Sequence, residues 1–476
     1  MASGGPDTAA LLAWCVRHGI AVDERLSIEH VPLDAHEDSD LEYQAEGGAI
    51  AVVANAPIPA GDTVVYIPCD AVLSTKTSTL AHSSEFQEAL RLCADNALHL
   101  ALCLAYERGL EDKSAFAGYV QSLPRRVNLP MCWDASYEGT RWIQSTEAAR
   151  DASTSKPGYS LRRLHTYWET HGKGVVRKTQ QAQVDWPSYV DAFTLVSSRA
   201  FVINVYHGLC MVPIADLFNH TDMHNVQVEA EELVCLQCGY PHQGPCTQAL
   251  SNTIDVRCIE ALYEGDEAIN TYGDLSNAEL LCQYGFVLDS KTLYDRSSWG
   301  PAMPAELREL EEAFSSCLAY TPNGNHAPGL DHLLLSLEPE AASDDALFAR
   351  LQSPRDFSRP LFVDPTGRPS YVLWRLCLGA AMACAAAPIT DWPMLLNQVQ
   401  SFGGAMQAAP DHAVHLAAQC LAHLCTSRMK NLYVTTHDDE AGALLQADRG
   451  PLRSTVQLAL QESDTLHRAR AWAQST

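Results

Sequence analysis

Two tyrosines, each followed by glycine, place the tightest constraint on how this chain can fold. Tyr272 ends an apolar, strand-like run, and Tyr284 follows twelve positions later, at the close of a short helical pattern. Side chains that accept hydrogen bonds from the unpaired amides of a first helical turn are favoured at the start of a helix. The candidates for this role here are Asp274, Ser276 and Asn277. The stretch therefore predicts a strand and then a short helix, with a tyrosine at the end of each.

Upstream, residues 49–54 and 63–68 are two β-rich runs joined by a turn that contains proline and glycine. Such a pattern predicts a β-hairpin. Residues 85–195 follow mostly helical spacing, for example at Leu90, Leu98 and Tyr106. The first half of the chain is therefore expected to combine short strands with a helical segment.

Four motifs, in order along the chain, together resemble the SET domain, the protein-lysine methyltransferase fold. They are Ser197-Ser198-Arg199, the run from Pro213 to Asn219-His220, Tyr272-Gly273, and Asn277 to Leu281. Within that family the chain is similar to the subgroup of Rubisco large-subunit methyltransferase and the fungal ribosomal-protein lysine methyltransferases. The resemblance covers residues 30–290 in outline and is strong over 195–288. It implies an α+β fold, in which short SET-domain strands carry a helical insert and precede an all-helical C-terminal domain.

The length of 476 residues suits two or three domains, and the resemblance implies five parts. Residues 1–24 are an N-terminal helix, 25–84 the first part of the SET domain, and 85–194 the helical insert. Residues 195–300 are the second part, with the cofactor and catalytic motifs, and 301–476 a helical substrate-binding domain. In that last part helices are predicted over residues 330–337, 371–386, 393–406 and 412–430.

The resemblance also implies S-adenosylmethionine as cofactor and assigns roles to residues. Tyr272 matches the catalytic tyrosine. The cofactor would contact Gly47, Gly48, Arg199, Asp216, Asn219, His220 and Tyr272. The substrate would contact Arg199, Asp216 and Tyr284. For Arg199 a purely structural salt bridge is the alternative, for His220 a structural histidine, and for Tyr272 a buried strand aromatic.

The sequence departs from the family at the first motif. The usual Gly-x-Gly aligns with Ala49-Ile50-Ala51, and the glycines stand just before it, at Gly47 and Gly48. Glycine lets a backbone approach a ligand closely, so a shifted register would preserve the cofactor contact. An ordinary pair of hairpin glycines is the alternative.

Lysine methylation requires the neutral ε-amine. A free lysine has a pKa near 10.4, so reaching the neutral form at pH 7 costs about 4–5 kcal/mol. Desolvation and a nearby positive charge reduce that cost, and alignment of amine and methyl adds a proximity effect. The expected function is S-adenosylmethionine-dependent protein-lysine N-methylation of a non-histone protein, such as a ribosomal protein. The alternatives are a protein-histidine methyltransferase, whose imidazole needs no costly deprotonation, and a non-catalytic SET module that binds proteins.

One polar insert has the spacing C-x2-C-x3-H-x3-C, from Cys235, Cys238, His242 and Cys246. Two cysteines, a histidine and a third cysteine can furnish four tetrahedral zinc ligands. The sequence therefore offers a structural zinc site, and an ordinary loop with free thiols is the alternative.

The net charge of −26 disfavours a general nucleic-acid binder and fits a protein that attracts a basic protein partner. Acidity that only keeps the chain soluble is the alternative. The sixteen scattered cysteines and the lack of a signal-peptide pattern favour a cytoplasmic or nuclear location. The longest nearly apolar run, residues 376–387, is shorter than the roughly 18 residues that a bilayer requires. We expect a monomer with neither nucleic-acid nor membrane partners.

Overall fold

The structure of the protein is a computed structural model. It describes residues 8–31, 49–149, 160–241, 246, 252–299, 361–370, 373–374, 377, 410–447 and 450–475. The chain divides into two compact units. The first comprises Met1–Thr140, Asp151–Ser290 and Ala447–Thr455, and the second Arg141–Arg150, Lys291–Gln446 and Val456–Thr476.

Helices and short strands alternate along the described chain, which confirms the predicted α+β class. The helices are α1 (Thr8–Arg17), α2 (Ser84–Leu92), α3 (Asn96–Leu110), α4 (Ala117–Ser122), α5 (Gly139–Ile143), α6 (Leu161–Tyr167), α7 (Lys173–Thr179), α8 (Trp186–Arg199), α9 (Asn277–Tyr284), α10 (Pro410–Lys430), α11 (Asp438–Ala447) and α12 (Pro451–Ser475). The strands are β1 (Ala21–Val22), β2 (Leu26–Val31), β3 (Ala49–Ala54), β4 (Thr63–Pro68), β5 (Ala200–Val202), β6 (Leu209–Met211), β7 (Val226–Ala230), β8 (Thr253–Cys258), β9 (Ser297–Ser298) and β10 (Phe362–Val363). A single 3-10 turn, Ala215–Leu217, lies between β6 and β7.

The strands of the first unit form one four-stranded sheet and two separate pairs. The sheet has the order β1-β4-β8-β7, and each neighbouring pair is antiparallel. The pairs are β2 with β3 and β5 with β6. Ile254 and Val256 alternate along β8 with more exposed residues, as expected of a sheet with one buried face. On β4 the buried Val65 and Ile67 flank the exposed Tyr66, and Val64 is also buried where the register shifts. The sheet therefore buries one apolar face and leaves the other accessible.

The predicted hairpin between residues 49–54 and 63–68 is wrong, because the two strands belong to different sheets. β3 pairs with β2, whereas β4 pairs with β1 and β8. The connecting turn explains the difference. The amide of Ile58 donates to the carbonyl of Leu262 at 2.9 Å, and the amide of Leu262 donates back at 2.9 Å. These bonds tie the turn to the chain that follows β8 instead of closing β3 onto β4.

One continuous buried cluster joins this sheet to the helical insert. The helical spacing predicted from Leu90 is interrupted, so that Leu90 lies on α2 and Leu98 and Tyr106 lie on α3. Asp95 causes the restart, because its side chain accepts a hydrogen bond from the amide of Ala97 at 3.1 Å and caps α3. α3 is buried around most of its surface and packs against α8.

The second unit contains the β9–β10 pair and the helix predicted over residues 412–430, which is present as α10. The helices predicted over 330–337 and 393–406 lie outside the described residues. Of the helix predicted over 371–386, three positions are described, and all three are helical.

A buried ionic cluster lies within the second unit. The Arg428 Nη2 atom lies 2.6 Å from Glu462 Oε1 and 3.7 Å from Glu147 Oε1. Ser298 donates to Glu147 Oε1 from its amide at 2.7 Å and from its hydroxyl at 2.8 Å. The Ser297 hydroxyl donates to Glu462 Oε1 at 2.7 Å. Serine donors therefore supplement the Arg428 cation, which lies near both carboxylates.

Within the part of the chain that the structure describes, no helix combines the length and the apolar character that crossing a membrane would require.

Candidate active site

The two motif-bearing stretches run side by side in the first unit. His220 and Asn270 form a parallel bridge. The amide of Asn270 donates to the carbonyl of Asn219 at 2.8 Å, and the amide of Thr221 donates to the carbonyl of Asn270 at 3.3 Å. This pairing brings His220 next to Tyr272, although 52 positions separate them in the sequence.

The short helix α9 places Tyr284. Of the three candidate caps, the structure selects Ser276, whose hydroxyl accepts from the amide of Glu279 while the Glu279 carboxylate accepts from the amide of Ser276. This reciprocal arrangement is a capping box. Gly285 ends the helix in the left-handed region, at φ +87°, and its amide donates to the carbonyls of Leu280 and Leu281. Tyr284 is thereby held in the last turn of a helix whose two ends are both fixed.

Tyr272 is held at its backbone, its ring and its hydroxyl. Its amide donates to His220 Nδ1 at 3.0 Å, and its hydroxyl donates to the carbonyl oxygen of Phe218 at 3.1 Å. Its ring stacks on Tyr284, with centroids 4.7 Å apart, and on His220, with centroids 5.0 Å apart. Phe286 packs edge-on against it, with centroids 6.4 Å apart. These four rings form an aromatic cluster around the tyrosine that the sequence predicts to be catalytic.

His220 is neutral in this setting. Burial, and to a smaller extent the charge of His224, lowers the pKa of His220 to about 4. Because Nδ1 accepts the amide hydrogen of Tyr272, Nε2 carries the ring proton. Nε2 is buried and has no hydrogen-bond partner among the described residues. Unpaired buried donors of this kind are rare and call for an explanation, of which a ligand is one.

Asn219 links the first motif to an acidic side chain. Its Nδ2 donates to the carbonyl of Ile50 at 2.9 Å and to Glu267 Oε1 at 2.7 Å. Ile50 is the central residue of the stretch that aligns with the family's Gly-x-Gly. Burial raises the pKa of Glu267 to about 7, and the hydrogen bond from Asn219 opposes that rise. Asn219 thus contacts the first motif through the backbone of β3. Gly47 and Gly48, the predicted cofactor-binding glycines, lie outside the described residues.

A second cluster forms around Asp216. Arg199 Nη1 donates to the backbone carbonyl of Asp216 at 2.6 Å and lies 3.9 Å from the side-chain oxygen Oδ2 of Asp216. The same Oδ2 accepts a hydrogen bond from the Tyr119 hydroxyl at 2.8 Å. Burial raises the pKa of Asp216 to about 6, and Arg199 opposes the shift. Asp216 Oδ1 is buried without a hydrogen-bond partner among the described residues. Arg199 and Asp216, both predicted from sequence, therefore lie together.

The segment between these clusters contains one residue with an unusual backbone conformation. Ile214 has φ +71°, in a region that β-branched residues rarely adopt. The turn is held by hydrogen bonds from the amide of Asp216 to the Val212 carbonyl and from the amide of Leu217 to the Ile214 carbonyl. Backbone conformations of this kind cost about 1–3 kcal/mol and concentrate at functional sites.

Two residues of the site were missed by sequence reasoning. Tyr119 belongs to the helical insert, and Glu267 stands outside the four motifs. The only signal for Tyr119 is that a buried tyrosine usually finds a partner for its hydroxyl. Glu267 shows no local signal, because Asn219 lies 48 positions away in the sequence.

The predicted metal ligands Cys235, Cys238 and Cys246 lie together, with their sulfur atoms all within 4.8 Å of one another. His242, the fourth predicted ligand, lies outside the described residues.

Comparison with known proteins gives consistent results, although no protein-family model matches the chain. Protein SET DOMAIN GROUP 40 of Arabidopsis thaliana is 23% identical over 301 residues, which cover 59% of this chain and 58% of that protein. The N-lysine methyltransferase setd6 of Xenopus laevis is 21% identical over 296 residues, 58% of this chain and 56% of that protein. Ribosomal lysine N-methyltransferase 3 of Saccharomyces cerevisiae is 26% identical over 181 residues, 25% of this chain and 32% of that protein.

The aligned part of the chain thus spans little more than half the length of the first two of these relatives. Solved structures extend the match. The SET domain of LSMT bound to lysine and AdoHcy superposes with a TM-score of 0.62 at 15% identity, over 98% of this chain and 92% of that one. Rubisco LSMT bound to AdoMet gives a TM-score of 0.57 at 15% identity, over 100% and 92% of the two chains. The predicted resemblance is confirmed: the chain has the fold of Rubisco large-subunit methyltransferase, and its sequence is similar to those of SET-domain proteins.

Proposed function

We propose that this protein is an S-adenosylmethionine-dependent protein-lysine N-methyltransferase that acts on a basic, non-histone protein such as a ribosomal protein. The observation that carries the proposal is the fixed geometry of Tyr272, whose hydroxyl donates to the Phe218 carbonyl while its ring stacks between His220 and Tyr284. The names of the relatives support the reaction, since two of those described above are lysine methyltransferases. The neighbouring structures, with AdoMet, AdoHcy and lysine bound, support the cofactor and the acceptor.

Two buried polar atoms of the site have no hydrogen-bond partner among the described residues, and both could bind the cofactor. His220 Nε2 offers a buried donor, and Asp216 Oδ1 offers a buried acceptor. S-adenosylmethionine carries amine and hydroxyl donors together with carboxylate and adenine acceptors, so both atoms match groups that it presents. Asn219 and Glu267 add an amide and a carboxylate near the strand that aligns with the first motif. In our proposal these residues hold the cofactor with Arg199, Gly47 and Gly48.

When bound, S-adenosylmethionine supplies an electrophilic methyl group on a positively charged sulfonium. The chain must deliver a neutral amine to it. The rings of Tyr272, Tyr284 and Phe286 provide an apolar wall, and removal of water disfavours the charged form of lysine. The Phe218 carbonyl and the Tyr272 oxygen are acceptors that can orient the N–H bonds of the amine, which brings its lone pair into line.

The second unit enters the proposal as the part that helps to hold the protein substrate. The support is indirect and comes from its position after the SET motifs and from its helices α10 and α12. The net charge of −26 supports a basic substrate, because long-range attraction raises the encounter rate of oppositely charged partners.

The assignment of Tyr272 is tested by Tyr272→Phe. The variant keeps the ring stacking and loses only the hydroxyl, so we expect S-adenosylmethionine to bind nearly as in the parent. Methyl transfer should fall about 100-fold or more, the scale for removing one well-placed hydrogen-bonding group from a transition state. Binding is measured by isothermal titration and transfer by single-turnover incorporation of labelled methyl.

Tyr66→Phe is the matched control, since Tyr66 is 46% exposed on β4 and loses the same hydroxyl. It should transfer methyl groups at the parent rate. Undiminished transfer by Tyr272→Phe on the true substrate would remove Tyr272 from the catalytic role.

A further inference from the structure

The connection between β7 and β8 gathers three thiols that the methyl-transfer site does not use. The sulfur atoms of Cys235, Cys238 and Cys246 all lie within 4.8 Å of one another, and those of Cys235 and Cys246 are 3.6 Å apart. None of the three is in a disulfide. Zinc–thiolate bonds of about 2.3 Å in a tetrahedron place sulfurs about 3.8 Å apart. The observed separation is thus close to the edge of such a tetrahedron.

The turn around Cys235 favours a thiolate. The amide of Gln237 donates to Cys235 Sγ at 3.5 Å, and the amide of Cys238 also donates to this sulfur. Gly239 follows with φ +77°, so the chain reverses directly after the second cysteine. Amide donors of this kind stabilise a sulfur that carries negative charge, as a metal-bound thiolate does.

The turn is anchored to the first unit but has little apolar packing of its own. The Tyr240 hydroxyl donates to Asp70 Oδ2 at 2.7 Å, and Asn252 Nδ2 donates to the Gly239 carbonyl at 3.0 Å. In contrast, Leu233 and Leu236 are 86% and 72% exposed. Among the described residues of this connection, Val234 is the only buried aliphatic side chain. Bound metal commonly supplies folding free energy in segments with so little apolar burial.

We propose that Cys235, Cys238 and Cys246 bind one structural Zn²⁺ that orders the connection between β7 and β8. Thiolate-rich tetrahedral sites select zinc over the harder cations, which prefer oxygen ligands. The ion would serve folding of the connection and take no part in methyl transfer, because none of its ligands belongs to the Tyr272 or Asp216 clusters. His242 remains a prediction from the sequence for the fourth ligand.

The test uses the full chain, produced without a polyhistidine tag in zinc-supplemented medium and passed over a chelating resin. Elemental analysis should show about one zinc per chain. The double variant Cys235→Ser/Cys238→Ser should lose that zinc and melt at a lower temperature. The control Cys93→Ser/Cys132→Ser also removes two half-buried thiols, from other places in the first unit, and should keep its zinc.

Replacement of zinc by Co²⁺ in the unmutated chain keeps the proposal testable if the double variant fails to fold. Binding at the three thiols should give the thiolate charge-transfer and ligand-field absorption of tetrahedral Co²⁺. A zinc content near zero in the unmutated chain, or a Co²⁺ spectrum without thiolate bands, would overturn the proposal. Equal zinc in the parent and in the Cys235→Ser/Cys238→Ser variant would do the same, since the metal would then be bound elsewhere.

Discussion

Tyr272 donates its hydroxyl hydrogen to the Phe218 carbonyl, and this hydrogen bond limits the chemistry that its oxygen can perform. A phenol whose proton is already donated presents its oxygen lone pairs to a neighbour, so it acts as an acceptor. An acceptor orients an amine, whereas proton abstraction would require an ionised phenolate. The deprotonation of lysine in our account therefore comes from desolvation and from the cofactor's charge.

Glu267 gives a prediction on pH. Its pKa is raised to about 7, and an ionised carboxylate beside Asn219 favours a cationic ligand. Below pH 7 the carboxyl is protonated in the free protein and must lose its proton to interact with the ligand. Affinity for S-adenosylmethionine should therefore rise between pH 6 and pH 8, by about tenfold, and level off above that. Isothermal titration across this range measures it directly.

Glu267→Gln keeps the shape of the side chain and cannot ionise, so its affinity should be nearly constant over the same pH range. Binding is the necessary readout, because turnover also depends on the protonation of the lysine substrate. A pH dependence of equal steepness in Glu267→Gln would show that another group is responsible.

Sequence motifs single out Asn219, His220 and Tyr272 because these residues are distinctive in themselves and in their order, and the structure places them side by side. Their partners were not predictable in the same way. Tyr119 meets Asp216 across 97 positions, and that contact depends on how the helical insert packs. A contact between buried residues that are far apart in the sequence produces no periodic pattern from which it could be predicted.

At the level of elements, the mistaken hairpin shows where local reasoning fails. Residues 49–54 and 63–68 have strand composition and a turn between them, and both are strands in the structure. The choice of partner is decided elsewhere, since β4 pairs with β8, which begins at Thr253. By contrast, the capping of α9 was predictable to within three candidates, because capping is set by neighbours in the sequence.

The cluster of Arg428, Glu147 and Glu462 links elements of the second unit and gives a stability prediction. All three side chains are 2–4% exposed, and Arg428 is the cation between the two carboxylates. Arg428→Met would leave two acidic groups buried without their cation. We expect the free energy of unfolding to fall by about 3–5 kcal/mol, measured by chemical denaturation with a signal from the second unit.

Arg468→Met is the matched control, because Arg468 pairs with Asp464 on the same unit with both side chains about half exposed. Exposed pairs contribute little, so this change should cost about 1 kcal/mol or less. Equal losses in the free energy of unfolding of the two variants would show that the buried cluster contributes no more than an exposed ion pair.

On the scale of the whole molecule, two features bear on the proposed function: the division of the chain into two compact units and its net negative charge. The motif-bearing residues lie in the first unit, and the second has its own buried ionic cluster. The net charge of −26 leads to the expectation of a positively charged protein partner. The substrate itself depends on surface shape and on the detailed positions of charges, which composition and motifs do not encode.

The most direct measurement of the central claim identifies the atom that receives the methyl group. The full chain is incubated with a protein extract and S-adenosylmethionine carrying a deuterated methyl, and labelled peptides are mapped by mass spectrometry. The account predicts label on the ε-nitrogen of lysine in a basic protein, and label reduced about 100-fold or more with Tyr272→Phe. Label confined to histidine, or no label although the chain binds the cofactor and genuine acceptor protein is present, would contradict it.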